Sequence, residues 1–159
     1  MKNSRTAAIA LALVAFAAAS AQAQTQTVTF AVNAINQIAF TGVPSLTITT
    51  AVAGSAPTAA TDATAKWAVT CNQTGAKISA STPAMPAGLT LSVNLTAPAV
   101  GTSLGLLSIG TGASVDLVTG ITKTNGANLG VTYQLDATVA AGVVVSSTRL
   151  VTYTITGGT

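Results

Sequence analysis

Histidine and glutamate are absent from this chain, and Cys71 is its one cysteine. Charged residues make up 6% and aromatic residues 4% of it. Each shortage closes a class of function. A hydrolase triad needs a general base beside its nucleophile, and without histidine that base would have to come from lysine or aspartate. With no histidine and no second cysteine there is no transition-metal ligand set, and the three aspartates have no calcium-loop spacing. A lone cysteine forms no intrachain disulfide; in an exported chain it is either buried or bridges to another molecule. Cys71 has the strand parity of Trp67 and Val69, so the expectation is a buried thiol. Asp62 falls in an expected loop, Asp116 in an ambiguous segment and Asp136 on the polar parity of a strand, which reads as three separate surface carboxylates. No catalytic residue, cofactor site or metal site is assigned, and the chain is not read as an enzyme.

The chain opens with the pattern of a processing segment. Lys2 and Arg5 precede an apolar run from Ala7 to Ala19, and Ala21-Gln22-Ala23 is a small-x-small cleavage site. The run is shorter than the roughly 20 residues a bilayer crossing requires. Met1–Ala23 is therefore read as a signal peptide of bacterial type, which implies export and no stable membrane insertion. Beyond it, Lys66, Lys77, Lys123 and Arg149 face the three aspartates, an excess of a single positive charge. The pI of about 9.4 thus owes much to the leader. Nothing here forms a basic patch for nucleic acid. The neutral, Thr-, Ala- and Val-rich remainder favours pleated surfaces and is weakly guarded against association.

What is present is alternation. From Thr27 to Phe40, the even positions Val28, Phe30, Val32, Ala34, Asn36, Ile38 and Phe40 are apolar apart from Asn36, which puts an apolar row on one face of an extended strand. The Asn33–Asn36 stretch divides it. The Ile38–Phe40 half is expected to pair within its own domain, and the Val28–Ala34 half to be the mobile part, lying at a sheet edge or projecting with few contacts. Further strands are expected at Ser45–Val52, Thr64–Cys71, Ala76–Ser81, Leu89–Thr96, Leu104–Ile109, Leu129–Val139 and Ser147–Thr156. Asn72–Gly75 reads as a hairpin turn joining two of them, Ala53–Ala63 as a loop, Thr122–Asn128 as a turn, and Ser114–Ile121 as either a strand or a capped helical turn. The expected core holds Trp67, Val69, Leu91, Val93, Val131, Tyr133, Val151 and Ile155, with Tyr153 beside them.

Eight or nine short alternating strands separated by Gly, Pro and Asn turns point to an all-β, immunoglobulin-like sandwich. The division is a signal peptide over 1–23, an N-terminal extension strand over 24–40 and a sandwich domain over 41–159. A closed outer-membrane barrel would need aromatic girdles that the chain does not have.

Through TVTFAVNAINQIAFTGVPSLTIT, Asp116–Ile121 (DLVTGI) and Arg149–Thr156 (RLVTYTIT), the chain resembles a family of small exported bacterial proteins that brings no established activity. More loosely its layout is similar to spore-coat-U-like and chaperone–usher pilin subunits. That resemblance implies an N-terminal extension filling the open groove of the next subunit. Val28, Phe30, Val32 and Ala34 match the extension in kind, and Trp67, Val131, Tyr133, Val151, Tyr153 and Ile155 are the candidate core and groove. Many such pilins carry a disulfide; this chain does not. The expected function is a structural subunit of an extracellular filament or surface layer, a homopolymer joined by strand addition. The alternative is a monomeric secreted binding module with Thr27–Phe40 paired inside its own sandwich.

Overall fold

The computed structural model describes residues 22–159, so the expected signal peptide lies outside the described residues except for its last two positions. The chain divides into two compact units, Met1–Val32 and Asn33–Thr159. Within the first, residues 22–32 are exposed and carry no secondary structure. The second is all-β, with two antiparallel sheets.

Among the described residues ten strands form in chain order: β1 (Asn36–Thr41), β2 (Ala60–Asp62), β3 (Lys66–Cys71), β4 (Ala76–Ser81), β5 (Leu89–Leu95), β6 (Thr102–Ser103), β7 (Leu107–Ser108), β8 (Val115–Ile121), β9 (Thr124–Ala137) and β10 (Thr152–Thr156). The first sheet runs β1-β3-β9-β5-β7, with β2 also on β9; the second runs β10-β4-β8-β6. Apolar side chains of both sheets form one buried cluster that includes Trp67, Val69, Ile78, Val93, Leu95, Leu117, Ile121 and Val131. β3 displays the reason plainly. Trp67, Val69 and Cys71 point inward while Lys66 and Thr70 point to solvent, which is the period-2 arrangement of a half-buried strand.

Several expectations need correction. Asn72–Gly75 is not a hairpin turn, because β3 and β4 belong to different sheets; the turn carries the chain across the core. Ser45–Val52 forms no strand. Leu46 and Ile48 alternate inward, but the segment has no ladder partner beyond an isolated Ala51–Pro57 bridge. Ala60–Asp62, expected as loop, pairs with β9 through Ala60–Leu135 and Asp62–Tyr133. Thr122–Asn128 is not a turn: β9 begins at Thr124 and runs for 14 residues. Asn128, at φ 55, instead serves an irregularity in register between Trp67 and Val69 on the facing strand, so turn-type residues build a bulge. Ser114–Ile121 resolves as strand. Adjacent Leu117 and Val118 are both buried there because the β4–β8 register shifts beside them, which masks the alternation. Of the expected Leu104–Ile109 strand only Leu107–Ser108 forms a ladder: Gly105 at φ 82 breaks the run, leaving the Leu104 N–H bonded to the Leu117 carbonyl of the other sheet and the Ile109 N–H to the Leu91 carbonyl. The closing strand starts at Thr152 rather than Ser147. The only helical piece among the described residues is a 3-10 turn at Val139–Ala141. Val151 and Ile155 are half-buried and pack on the core from its edge.

Candidate functional site

The two open sides of this pair of sheets differ. On one side the edge strands are β6 and β7, each two residues long, and only Leu104–Leu106 separates them in the chain. A short edge joined to its neighbour offers little template for another strand. On the other side the edges are β1, of six residues, with the three-residue β2 beyond it on the same side of β9, and β10, of five. Among the described residues β1 bonds only to β3 and β10 only to β4, so each keeps one row of backbone N–H and C=O groups unpaired there.

Side chains fill the seam between these two edges. Ile38 and Phe40 on β1, and Val151, Tyr153 and Ile155 at β10, are all half-buried and packed on the core. Phe40 stacks on Tyr153 with ring centroids 3.9 Å apart, and on Trp67 at 6.1 Å. The Trp67 indole N–H donates to the Thr96 carbonyl at 3.1 Å, so the ring is buried with its polar atom satisfied. The Tyr133 and Tyr153 hydroxyls share a 2.6 Å hydrogen bond. Burial raises the pKa of both hydroxyls; for Tyr153 the shared hydrogen bond raises it further.

One end of the seam is held by the Asn72–Gly75 turn. The Asn72 side chain donates to the Asn33 carbonyl at 2.8 Å and accepts from the Ile35 N–H at 2.7 Å. The Asn72 backbone N–H donates to the Ile35 carbonyl at 3.1 Å. Asn36 donates its side-chain amide to Gln73. This amide clamp prolongs the β1–β3 pairing by side-chain means and fixes the chain as it enters β1. The C-terminus docks on the same turn: Thr74 and Thr159 exchange backbone hydrogen bonds of 2.9 and 3.1 Å. A Cβ on Gly158 would collide with the Thr74 carbonyl, so glycine is required for that approach. Sequence reading missed the bonding roles of Asn72 and Gln73, whose only signal was turn composition, which says nothing about what an amide side chain will bond; Asn33 contributes its backbone carbonyl alone.

The other sequence candidates fall as follows. Val28, Phe30 and Val32 are 73, 89 and 80% exposed, and Ala34 is exposed as well. Trp67, Val131 and Tyr133 lie in the buried cluster. Cys71 is a free, buried thiol whose Sγ donates to the Gln73 carbonyl at 3.5 Å. The aspartates stay apart. Asp62 accepts from the Ser45 and Thr64 backbone N–H groups and the Thr64 hydroxyl, bonds that lower its pKa. Asp116 pairs with Lys77 at 2.9 Å, and Asp136 accepts from Gln134. Among the described residues no three His, Cys, Asp or Glu side chains gather. No described helix is long and apolar enough to cross a membrane. Comparison of the chain with protein families, with curated proteins and with solved structures found no match.

Proposed function

We propose that this protein is a structural subunit of an extracellular bacterial filament or surface layer, built on an immunoglobulin-like, pilin-like sandwich. In this reading the chain is exported by its N-terminal leader and polymerises with copies of itself. The Thr27–Ala34 segment of one subunit adds as a strand to the open side of the next, between β1 and β10.

The observation that carries the reading is the exposure of Val28, Phe30 and Val32, three large apolar side chains in strict alternation with no cover. A water-exposed row of this kind costs free energy, and the mode of recognition that uses alternate side chains plus main-chain bonds is strand addition. In support, β1 and β10 each keep one backbone edge unpaired among the described residues, and the side chains between them are only half-buried. Full burial of Val28, Phe30 and Val32 in a neighbour would contribute about 1.5–3 kcal/mol each. A segment of one copy meeting a different surface on the next is a head-to-tail contact, which propagates as a fibre.

The test is the double substitution Phe30→Asp and Val32→Asp. Charges in an apolar seam are strongly unfavourable without partners. The variant is expected to be secreted, folded and monomeric by size exclusion, while the parent protein gives filaments in negative-stain electron microscopy. Filaments from the variant refute strand addition. Failure of the variant to fold would place Val28–Ala34 in its own core and favour the monomeric binding module.

A further inference from the structure

The first acceptor edge available to the apolar row Val28, Phe30 and Val32 is one on its own chain, the open edge of β1. Backbone alternation fixes which groups that edge presents. The Ile35 carbonyl accepts from the Asn72 N–H, so Ile35, Gln37 and Ala39 turn their backbone groups toward β3, and Asn36, Ile38 and Phe40 turn theirs outward. For the row to cover the seam from this edge, Val28, Phe30 and Val32 would have to lie opposite Phe40, Ile38 and Asn36, because residues opposite each other share a face. The loop joining the two arms is then Asn33-Ala34-Ile35. A two-residue loop would slip the register by one and turn the row to the outer face. A turn made earlier in the chain would spend residues of the row itself.

Those three residues are the ones the amide clamp holds. β3 ends at Cys71, and beyond it the Asn72 side chain stands in for backbone, donating to the Asn33 carbonyl at 2.8 Å and accepting from the Ile35 N–H at 2.7 Å. A carbonyl and an N–H on either side of one residue, both facing the neighbouring strand, is the pattern of an extended antiparallel strand. Ala34, the residue between them, stands where the loop would have to reverse. Turn chemistry opposes the reversal as well. A three-residue hairpin loop takes a type I turn followed by a residue in the left-handed region, and β-branched Ile35 resists that conformation.

We infer that Asn72 commits the Thr27–Ala34 segment to a second copy of the chain: by holding Asn33–Ile35 extended, it denies the segment the loop that would let it pair with its own β1. This rests on the strand-addition reading above and concerns its choice between self and neighbour. A segment folded back on β1 would remove both the donor and a free acceptor edge from the subunit. The clamp therefore acts on assembly without touching the donated strand.

The experiment compares the parent with Ile35→Gly and with Asn72→Ala/Ile35→Gly. Ile35 is exposed and meets Asn72 through its backbone, so Ile35→Gly alone supplies the turn residue with the clamp intact. In the parent and in Ile35→Gly, the amides of Val28, Phe30 and Val32 are expected to exchange freely with solvent deuterium in the dilute subunit. The double variant is expected to fold back. If about nine-tenths of it does so, those three amides exchange about tenfold more slowly in the monomer, and the critical concentration for filaments rises about tenfold. A Gly-Ser-Gly-Ser insertion between Ala34 and Ile35 lengthens the loop with Asn72 in place; it is expected to give the same protection, and it decides the question if loss of Asn72 prevents folding. Free exchange at the three amides in the folded double variant, or in the insertion variant where the double variant does not fold, overturns the inference, while filaments from the parent would still support strand addition. Protection in the parent subunit or in Ile35→Gly overturns it too, since the clamp would not be holding the segment out. If the double variant is protected but the parent forms no filaments, the clamp stands and strand addition falls.

Discussion

Tyr133 and Tyr153 are the protein's two tyrosines, and they hydrogen-bond to each other at the seam. An exposed tyrosine loses its proton near pH 10.0, whereas burial holds both of these protons to higher pH. Below pH 10 the pair is protonated whether the chain is folded or not, and its contribution to stability is fully present. Above pH 10 the unfolded chain releases protons that the folded chain keeps, so that contribution falls as pH rises. Ultraviolet titration is therefore expected to show little tyrosinate until the protein unfolds, with both rings then ionising in one step. Tyr153→Phe leaves the burial of Tyr133 in place and removes the bond that opposes it, so the remaining tyrosine should still ionise only as the protein unfolds. At Trp67, alanine substitution removes the largest buried side chain and its bond to Thr96; the loss expected in denaturant melts is about 3–5 kcal/mol. Cys71 should resist thiol reagents in the native state and react once denatured, because its sulfur is buried against the Gln73 carbonyl.

At the scale of elements, the informative pair is β1 and the turn that anchors it. The Asn72 side chain bonds backbone groups on both sides of Ala34, so it marks where the tied part of the N-terminal run begins. Asn72→Ala deletes two hydrogen bonds, worth about 0.5–1.5 kcal/mol each. Hydrogen exchange should then speed up at Ile35 while the central β9 amides stay protected. Unchanged exchange at Ile35 would mean that the clamp has no part in fixing the strand. Strand positions were legible wherever alternation was unbroken, as in β3, β4 and β5. They were misread where local chemistry and pairing disagree. Asn125-Gly126-Ala127-Asn128 has turn composition, yet β3 and the rest of β9 impose a ladder and turn the misfit into a bulge. Ser45–Val52 has strand composition but forms only the isolated Ala51–Pro57 bridge, and alternation without a ladder partner yields no strand.

For the molecule as a whole, the asymmetry of the two open sides is the controlling feature. β6 and β7 blunt one side by being short; β1 and β10 leave the other with two full edges. The compact unit starts at Asn33, so removing residues up to Val32 takes away none of its strands. A chain beginning at Asn33 is expected to fold with an unchanged urea midpoint and, on the strand-addition proposal, to remain monomeric at concentrations where the longer chain would assemble. A synthetic Thr27–Ala34 peptide added to it should raise the midpoint in proportion to ln of its concentration, as ligand binding to the native state requires. A lowered midpoint on truncation would show that the segment supports its own domain.

Alternation, turn residues and the near-absence of charge, all local properties of the sequence, determined the all-β class, the inward faces of β3, β5 and β9, and the apolar row at Val28, Phe30 and Val32. They could do so because a strand's two faces are set by a period of two, whatever the strand is paired with. The sorting of strands into sheets, the crossing at Asn72–Gly75, the bulge at Asn128, the Asn72 clamp and the contrast between blunt and open sides were decided only in three dimensions. Each depends on which distant segment supplies the partner for a backbone edge, and no residue carries that information in its own neighbourhood.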